Sequence, residues 1–426
     1  MAAVISAVSA LQHSFRDLDL AASEANAKPV QKLKLSEEEK KTKIYETAYE
    51  PSLQWWTSNE AAYVKPEEDP LPAGFPEKIN PASLWDGQVL INEPEKWLYR
   101  FDVVDIGLLN AAHAHFAALS LPNNRITQQT FPIPKDSKLY KALAHAKQEI
   151  RTGLGFRVLR GLPVDSWNRA KQIAIFAGIS TYIGGERIKQ GKQNIVHLRD
   201  VTNLDVDKRP VIAVKGQTSG NQVFHNDGPA GIVGLITLGV AEKGGLSQLS
   251  SVARTYNELA SQRRDILREI TKDNWITKQF PEGKPLFFSV NGTVVSNYSR
   301  RPYFGFYEVD ADVPPLPEAK HLALDAIHFT AAKFSLDLNL EKGDLEYFNN
   351  HSVFHARDAS EDSDKNQRHL IRIWLQNEEQ ELPEDLAELY ARLNAGEVYE
   401  WPEEAWSSSD PYTTLGDARE TLQARP

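Results

Sequence analysis

Residues 222–229 read Gln-Val-Phe-His-Asn-Asp-Gly-Pro, a short apolar run that ends on a histidine and an aspartate two positions apart. Because side chains along a strand alternate with a period of two, His225 and Asp227 are expected to share a face. An imidazole and a carboxylate can hold neighbouring positions on a metal ion, and a second histidine would complete the set typical of non-haem Fe(II). For an isolated His-x-Asp pair, the alternative to a metal site is a polar strand end in which the two side chains make only local hydrogen bonds.

Residues 343–357 supply candidates for that second histidine. The segment opens with Gly-Asp, a turn signal, and a mixed apolar run then passes His351 and ends on His355. Thirteen residues further on (368 − 355) lies Arg368, and Arg372 follows within an apolar run that is typical of a strand. The period of two predicts that both arginines lie on one face of that strand.

These motifs resemble the TauD/TfdA family of Fe(II)- and 2-oxoglutarate-dependent dioxygenases, in particular fungal-type members similar to γ-butyrobetaine hydroxylase. The resemblance covers residues 153–376. Its motifs are residues 224–227, the Gly-Gly-Leu-Ser at 244–247, and residues 350–355 and 368–372. It implies Fe(II) as the metal, 2-oxoglutarate as cosubstrate, molecular oxygen as a reactant, and a role compatible with fungal specialised metabolism.

The resemblance also implies which residues bind the iron. They would be the catalytic residues His225, Asp227 and His355. Family members place an asparagine five residues before the distal histidine, as Asn350 stands here, and this spacing selects His355 over His351.

Three further residues would bind the cosubstrate by the same resemblance. Ser247 stands where family members carry a hydroxyl that contacts 2-oxoglutarate, although their Gly-Gly-Asp-Thr reads Gly-Gly-Leu-Ser here. Arg368 would grip the distal carboxylate, because a planar guanidinium binds a carboxylate through two parallel hydrogen bonds. Arg372 matches a position that often meets the substrate or the surroundings of the cosubstrate. Between Ile371 and Ile373 it needs a partner, and a protein carboxylate is the alternative.

The composition limits the function classes. The chain has 426 residues and a net charge of −10, which argues against nucleic acid as a partner. It has no cysteine, so disulfides and thiolate metal sites are excluded.

No apolar run reaches the roughly 18 residues that span a bilayer, so no membrane partner is expected. The first residues lack a basic leader, which predicts a cytoplasmic protein, with mitochondrial import as the alternative. The sequence leaves open whether the chain forms a homo-oligomer.

Many short strand patterns with helices before and between them predict a mainly β fold with flanking helices (α+β), a distorted jelly roll or double-stranded β-helix. We expect an N-terminal arm and irregular extension over residues 1–100, anchored on the core by its tryptophans. The dioxygenase domain would cover 101–400 and a C-terminal tail 401–426. Helical spacing predicts a helix over 252–270, and Asn291-Gly292 predicts a hairpin.

The predicted function is oxidation of a C–H bond in a small polar substrate, which would bear a carboxylate, as an amino acid does, if Arg372 faces the pocket. Hydroxylation, desaturation and oxidative cyclisation all stay open. One alternative is a jelly-roll binding protein without catalysis, and the other is a zinc-dependent hydrolase that uses the same three ligands. Arg368 favours the dioxygenase, because a hydrolase has no use for a buried carboxylate clamp.

Overall fold

The computed structural model describes residues 50–190, 193–201, 217–277, 280–304, 316–394 and 401–403. Contacts within the chain divide it into residues 1–44 and 45–426, and all of the described residues belong to the second unit. Most of the first half of the expected arm, and all but three residues of the expected tail, lie outside the described residues. The domain boundaries at 100 and 400 therefore stay predictions.

The elements of the described ranges follow in chain order. The helices are α1 (Leu53–Ala62), α2 (Gly87–Leu90), α3 (Val103–Ala118), α4 (Lys138–Thr152), α5 (Arg169–Ile183), α6 (Val252–Gln262), α7 (Arg264–Ile270), α8 (Arg301–Phe304), α9 (Glu318–Lys333) and α10 (Glu384–Asn394). The strands are β1 (Leu98–Arg100), β2 (Phe156–Arg160), β3 (Arg187–Ile188), β4 (Ile195–Arg199), β5 (Gln222–His225), β6 (Ile232–Gly239), β7 (Lys243–Gly244), β8 (Ser247–Ser251), β9 (Phe287–Val290), β10 (Thr293–Ser296), β11 (Leu336–Leu338), β12 (Leu345–Asn349), β13 (Val353–Arg357), β14 (Ser360–Glu361) and β15 (His369–Leu375).

The larger sheet has the order β1-β2-β12-β6-β15-β3, and β4 also pairs with β15. Its outer face carries Ile236, Tyr347 and Ile371, which pack in one core with apolar residues of α3, α4 and α5. Helix α4 begins where the Ser137 hydroxyl accepts the N–H of Tyr140, and its apolar residues recur at helical spacing on the buried side. These helices shield one face of the sheet from water.

The smaller sheet has the order β11-β8-β13-β5, and helices α6, α7 and α9 cover its outer face. The predicted single helix over 252–270 is wrong, because the chain breaks at Arg263 into α6 and α7. Arg263 leaves helical geometry with φ −138° and ψ 63°, and its guanidinium pairs with Asp265 and Glu60. The hairpin predicted at Asn291-Gly292 is confirmed by the pairing of β9 with β10.

The inner faces of the two sheets meet in a third apolar core that includes Phe156, Leu235, Leu249, Phe348 and Trp374. Two facing, mainly antiparallel sheets with helices outside confirm the expected double-stranded β-helix. The polar residues of the candidate site lie at this inner layer.

Residues 51–100 are more regular than the sequence predicted, since they contain α1, α2 and β1. Strand β1 pairs in parallel with β2 at the edge of the larger sheet. Of the four tryptophans in this stretch, Trp56, Trp85 and Trp97 are buried and Trp55 is half-buried, which is the packing that an anchoring role requires. The Trp85 indole donates to the Leu154 carbonyl at 2.8 Å.

Among the described residues, no helix combines the length and the apolar character that crossing a membrane requires.

Candidate metal centre and cosubstrate pocket

His225, Asp227 and His355 converge at one end of the smaller sheet. The last residue of β5, His225, is the cross-strand partner of His355 on β13, and their ring centroids lie 4.1 Å apart. The Oδ1 atom of Asp227 is 3.5 Å from His225 Nε2 and 3.8 Å from His355 Nε2. One ligand atom of each residue lies within 4.8 Å of the others, so a single ion can contact all three. Asp227 reaches this place through the turn after β5.

Asn350 fixes the turn that carries Asp227. Its Oδ1 accepts the Asp227 N–H at 2.9 Å, and its Nδ2 donates to the carbonyls of Asp227 at 2.7 Å and Ala230 at 2.8 Å. Asn226 adds a hydrogen bond in the opposite direction, because its Nδ2 donates to the Asn350 carbonyl at 2.5 Å. Residues 226–230 are thereby tied to the loop between β12 and β13, which leads to His355.

The two histidines direct ring nitrogen atoms toward the centre. His225 Nδ1 donates to the Val223 carbonyl at 2.8 Å, so Nε2 keeps its lone pair on the side of Asp227. Burial, reinforced by the neighbouring His225, lowers the pKa of His355 to about 3. A metal binds the neutral imidazole, so the His355 ring is in the binding form at neutral pH.

The second oxygen of Asp227 is held by two donors. Arg372 Nη1 and Trp374 Nε1 each donate to Oδ2 at 2.9 Å. The Arg372 Nε donates to Gln190 Oε1 at 2.8 Å. Burial by itself would raise the pKa of Asp227, but the Arg372 guanidinium holds it well below its ordinary value. Arg372 thus has the protein-carboxylate partner that the sequence left as the alternative to a substrate.

A second polar cluster lies between the sheets around Arg368. The Ser247 hydroxyl donates to Glu346 Oε2 at 2.9 Å. Burial raises the pKa of that carboxyl, and Ser247 and Arg368 only partly offset the rise. Among the described residues, Arg368 Nη1 and Glu346 Oε1 are buried without a hydrogen-bond partner. A Cβ on Gly245, whose φ is +73°, would meet Arg368 Cδ at 3.1 Å, so glycine leaves room for the guanidinium stem. We call Ser247, Glu346 and Arg368 the Arg368 pocket.

Two other histidines lie away from the centre. His351 is buried and donates from Nδ1 to the Ser296 carbonyl at 3.1 Å, while its ring stacks on Tyr390. His197 bonds His369 at 2.7 Å and the Pro402 carbonyl at 2.9 Å. Both therefore have structural partners.

The sequence did not single out Glu346, Trp374 or Gln190. Glu346 carried a signal, because it is the one charged residue inside the strand Leu-Glu-Tyr-Phe-Asn. Trp374 and Gln190 carried no such signal. Trp374 has the sequence context of an ordinary strand residue, and Gln190 that of a residue in a connecting segment. Their contact with Asp227 and Arg372 depends on how β15 and β3 pair.

The donor set fits a non-haem iron centre. Two imidazoles and one carboxylate on one side of an ion leave further positions open, as in the facial triad of non-haem Fe(II) oxygenases. The orphaned Nη1 of Arg368 is a buried donor of the kind that the distal carboxylate of a dicarboxylic 2-oxo acid would need. Fold and site together define the class of jelly-roll metalloproteins built for oxygen chemistry.

Comparison with known proteins agrees with this class. The model of the family described as "Taurine catabolism dioxygenase TauD, TfdA family" matches residues 117–374. The taurine hydroxylase-like protein SAT17 of Stachybotrys chartarum is 31% identical over 311 residues, which cover 70% of this chain and 79% of that protein. The chain therefore belongs to the TauD/TfdA dioxygenase family, and the expected resemblance is confirmed.

Two further proteins are more distant. The FR-33289 synthase of Streptomyces rubellomurinus is 23% identical over 317 residues, 69% of this chain and 88% of that protein. A crystal structure of asparagine oxygenase (AsnO) superposes with a TM-score of 0.51 at 16% identity, covering 66% of this chain and 93% of that one. At this identity the structural likeness supports the fold.

Proposed function

We propose that this protein is an Fe(II)- and 2-oxoglutarate-dependent oxygenase that oxidises a C–H bond of a small polar, carboxylate-bearing substrate. The convergence of His225, Asp227 and His355 on one point carries the proposal. When bound together, iron, 2-oxoglutarate and oxygen supply the oxidising power, with succinate and carbon dioxide as coproducts. Family membership supports this chemistry over that of a zinc hydrolase or a binding protein.

In this proposal the two histidines and Asp227 Oδ1 hold the metal. Arg372 keeps Asp227 ionised, and Arg372 and Trp374 together fix which of its oxygens faces the metal. Arg368 and Ser247 bind the distal carboxylate of 2-oxoglutarate from inside the jelly roll. The apolar residues between the sheets exclude water, which strengthens each of these charged contacts.

The substrate class is part of the proposal. The fungal relative is named as taurine hydroxylase-like, and taurine is a small zwitterion with one acidic group. An amino-acid-like molecule with a carboxylate has the same character. Hydroxylation is the default outcome, with desaturation and cyclisation as alternatives. A cytoplasmic location, a homo-oligomer, and the absence of nucleic-acid and membrane partners stay predictions.

The test is anaerobic addition of Fe(II) and 2-oxoglutarate to metal-free protein. We expect the weak visible charge-transfer band of the iron chelate, and succinate release once oxygen and a suitable amino acid are added. The His355→Ala variant is the control and should give no band. A protein that binds zinc but gives no band with iron and 2-oxoglutarate would contradict the proposal and favour the hydrolase.

A further inference from the structure

Glu346 is an unusual neighbour for a carboxylate-binding arginine. It lies in the middle of β12 with no solvent exposure, and its cross-strand partners Val158 and Leu235 are apolar. Its Oε2 accepts the hydroxyl of Ser247, which is the hydroxyl assigned above to the cosubstrate. The protein therefore places its own carboxyl group where a second carboxylate has to bind.

Two carboxylates cannot share one arginine at low cost. Like charges a few ångströms apart in a buried site repel, and one of the two groups then takes up a proton. Besides Ser247, the groups that act on Glu346 are Arg368, which favours the ionised form, and Asp344, which opposes it. Arg357 and Asp362 act on Arg368 itself. Arg357 is a second positive charge near Arg368, whereas Asp362 and an ionised Glu346 are negative charges that offset it. A dianionic ligand therefore finds less net positive charge in the pocket while Glu346 is ionised.

We propose that Glu346 must carry a proton for the Arg368 pocket to accept 2-oxoglutarate, so that cosubstrate binding takes up a proton. The neutral carboxyl can donate its proton to the Ser247 oxygen, which leaves the single hydroxyl hydrogen of Ser247 free to donate to the incoming carboxylate. Glu346 is then a residue that sets the specificity and pH dependence of cosubstrate binding. This inference rests on the proposed function.

The free protein is poised for this step near neutral pH. Burial raises the pKa of Glu346 to about 7, against the lowering effects of Ser247 and Arg368. Above that pH only the protonated fraction is competent, so the apparent Kd for 2-oxoglutarate should rise about tenfold between pH 6 and pH 8.

The experiment measures proton uptake by calorimetry on the anaerobic Fe(II) protein, in buffers of different ionisation enthalpy, with 2-oxoglutarate as the ligand. At pH 8 the wild-type protein should take up about one proton per 2-oxoglutarate, and at pH 6 about a tenth of a proton. Glu346→Gln should take up none and bind with a Kd that does not change with pH. Glu346→Leu, which suits the apolar cross-strand neighbours, serves as a second variant without the carboxyl.

The matched ligand is 2-oxobutyrate, which offers the same 2-oxo acid end without a second carboxylate. Its binding should show no proton uptake by Glu346, so any proton change at the metal ligands is subtracted. Equal proton uptake by wild type and both variants, or none by wild type at pH 8, overturns the inference and leaves the proposed function standing. Failure of 2-oxoglutarate to bind at pH 6 overturns both.

Discussion

Arg372 Nη1 lies 2.9 Å from Asp227 Oδ2, while Oδ1 of the same carboxylate faces the two histidines. One carboxylate therefore links the candidate metal centre to the larger sheet. The relationship assigns separate roles to the two oxygens and makes β15 a support for the metal.

Replacing Arg372 tests that support. We expect Arg372→Met to weaken iron binding about 10–100-fold, because outer partners of metal ligands have effects of this size. Iron affinity is measured by titration of metal-free protein. An unchanged iron affinity combined with a raised KM for substrate would instead favour direct contact between Arg372 and the substrate, which stays the competing prediction.

The three proposed ligands differ from His351 in their expected behaviour. Alanine at His225, Asp227 or His355 should abolish turnover and bound iron. His351→Ala should keep iron, because His351 bonds the Ser296 carbonyl away from the centre. Metal content after dialysis is the measurement. Loss of iron in His351→Ala with retention in His355→Ala would contradict the assignment.

Asn350 should matter for metal binding although it is no ligand. Asn350→Ala removes three hydrogen bonds to the turn that carries Asp227, so iron affinity should fall about 10–100-fold. Asn349→Ala is the matched control, since the Asn349 side chain bonds Gln380 and the His351 N–H. We expect the control to lose stability and keep iron affinity; equal losses in both variants would remove Asn350 from this role.

Arg368 is expected to act on the cosubstrate. Arg368→Lys keeps the charge and loses the planar fork, so the Kd for 2-oxoglutarate should rise about 10–100-fold. Binding of 2-oxobutyrate, which lacks the second carboxylate, should change little. Both are read from the charge-transfer band. An equal effect on the two ligands would show that Arg368 supports the fold and does not clamp a carboxylate.

The pair His197 and His369 predicts acid sensitivity. Burial lowers the pKa of His197 to about 4, against an ordinary value near 6.5. Between pH 4 and pH 6.5, His197 is protonated in the unfolded chain and neutral in the folded chain. Its neutral, buried form therefore contributes fully to the free energy of unfolding only above pH 6.5. This contribution is lost as pH falls toward 4, by on the order of 3 kcal/mol.

Urea unfolding at pH 7 and pH 4.5 measures this loss. His197→Gln should reduce the difference between the two pH values. His145→Gln is the control, because the His145 side chain is 55% exposed and lies far from full burial. The same pH difference in wild type and His197→Gln would contradict the assignment.

The sequence by itself determined the class of fold and the three residues of the candidate metal centre. Apolar alternation fixes which residues of a strand face the core, and a stretch such as residues 222–227 carries that pattern locally. The asparagine-to-histidine spacing predicted that His355, rather than His351, belongs to the centre, and the structure places His355 beside His225. These features depend on residues that are close in the chain.

Only the tertiary structure decided what the charged residues touch. Arg372 could have met a substrate or a protein carboxylate, and the pairing of β15 with β6 places it 2.9 Å from Asp227. Glu346 and Ser247 are 99 residues apart and meet because β12 and β8 face each other across the jelly roll. Local patterns set side-chain direction along a strand, whereas such contacts depend on strand register and sheet packing, which the whole chain determines.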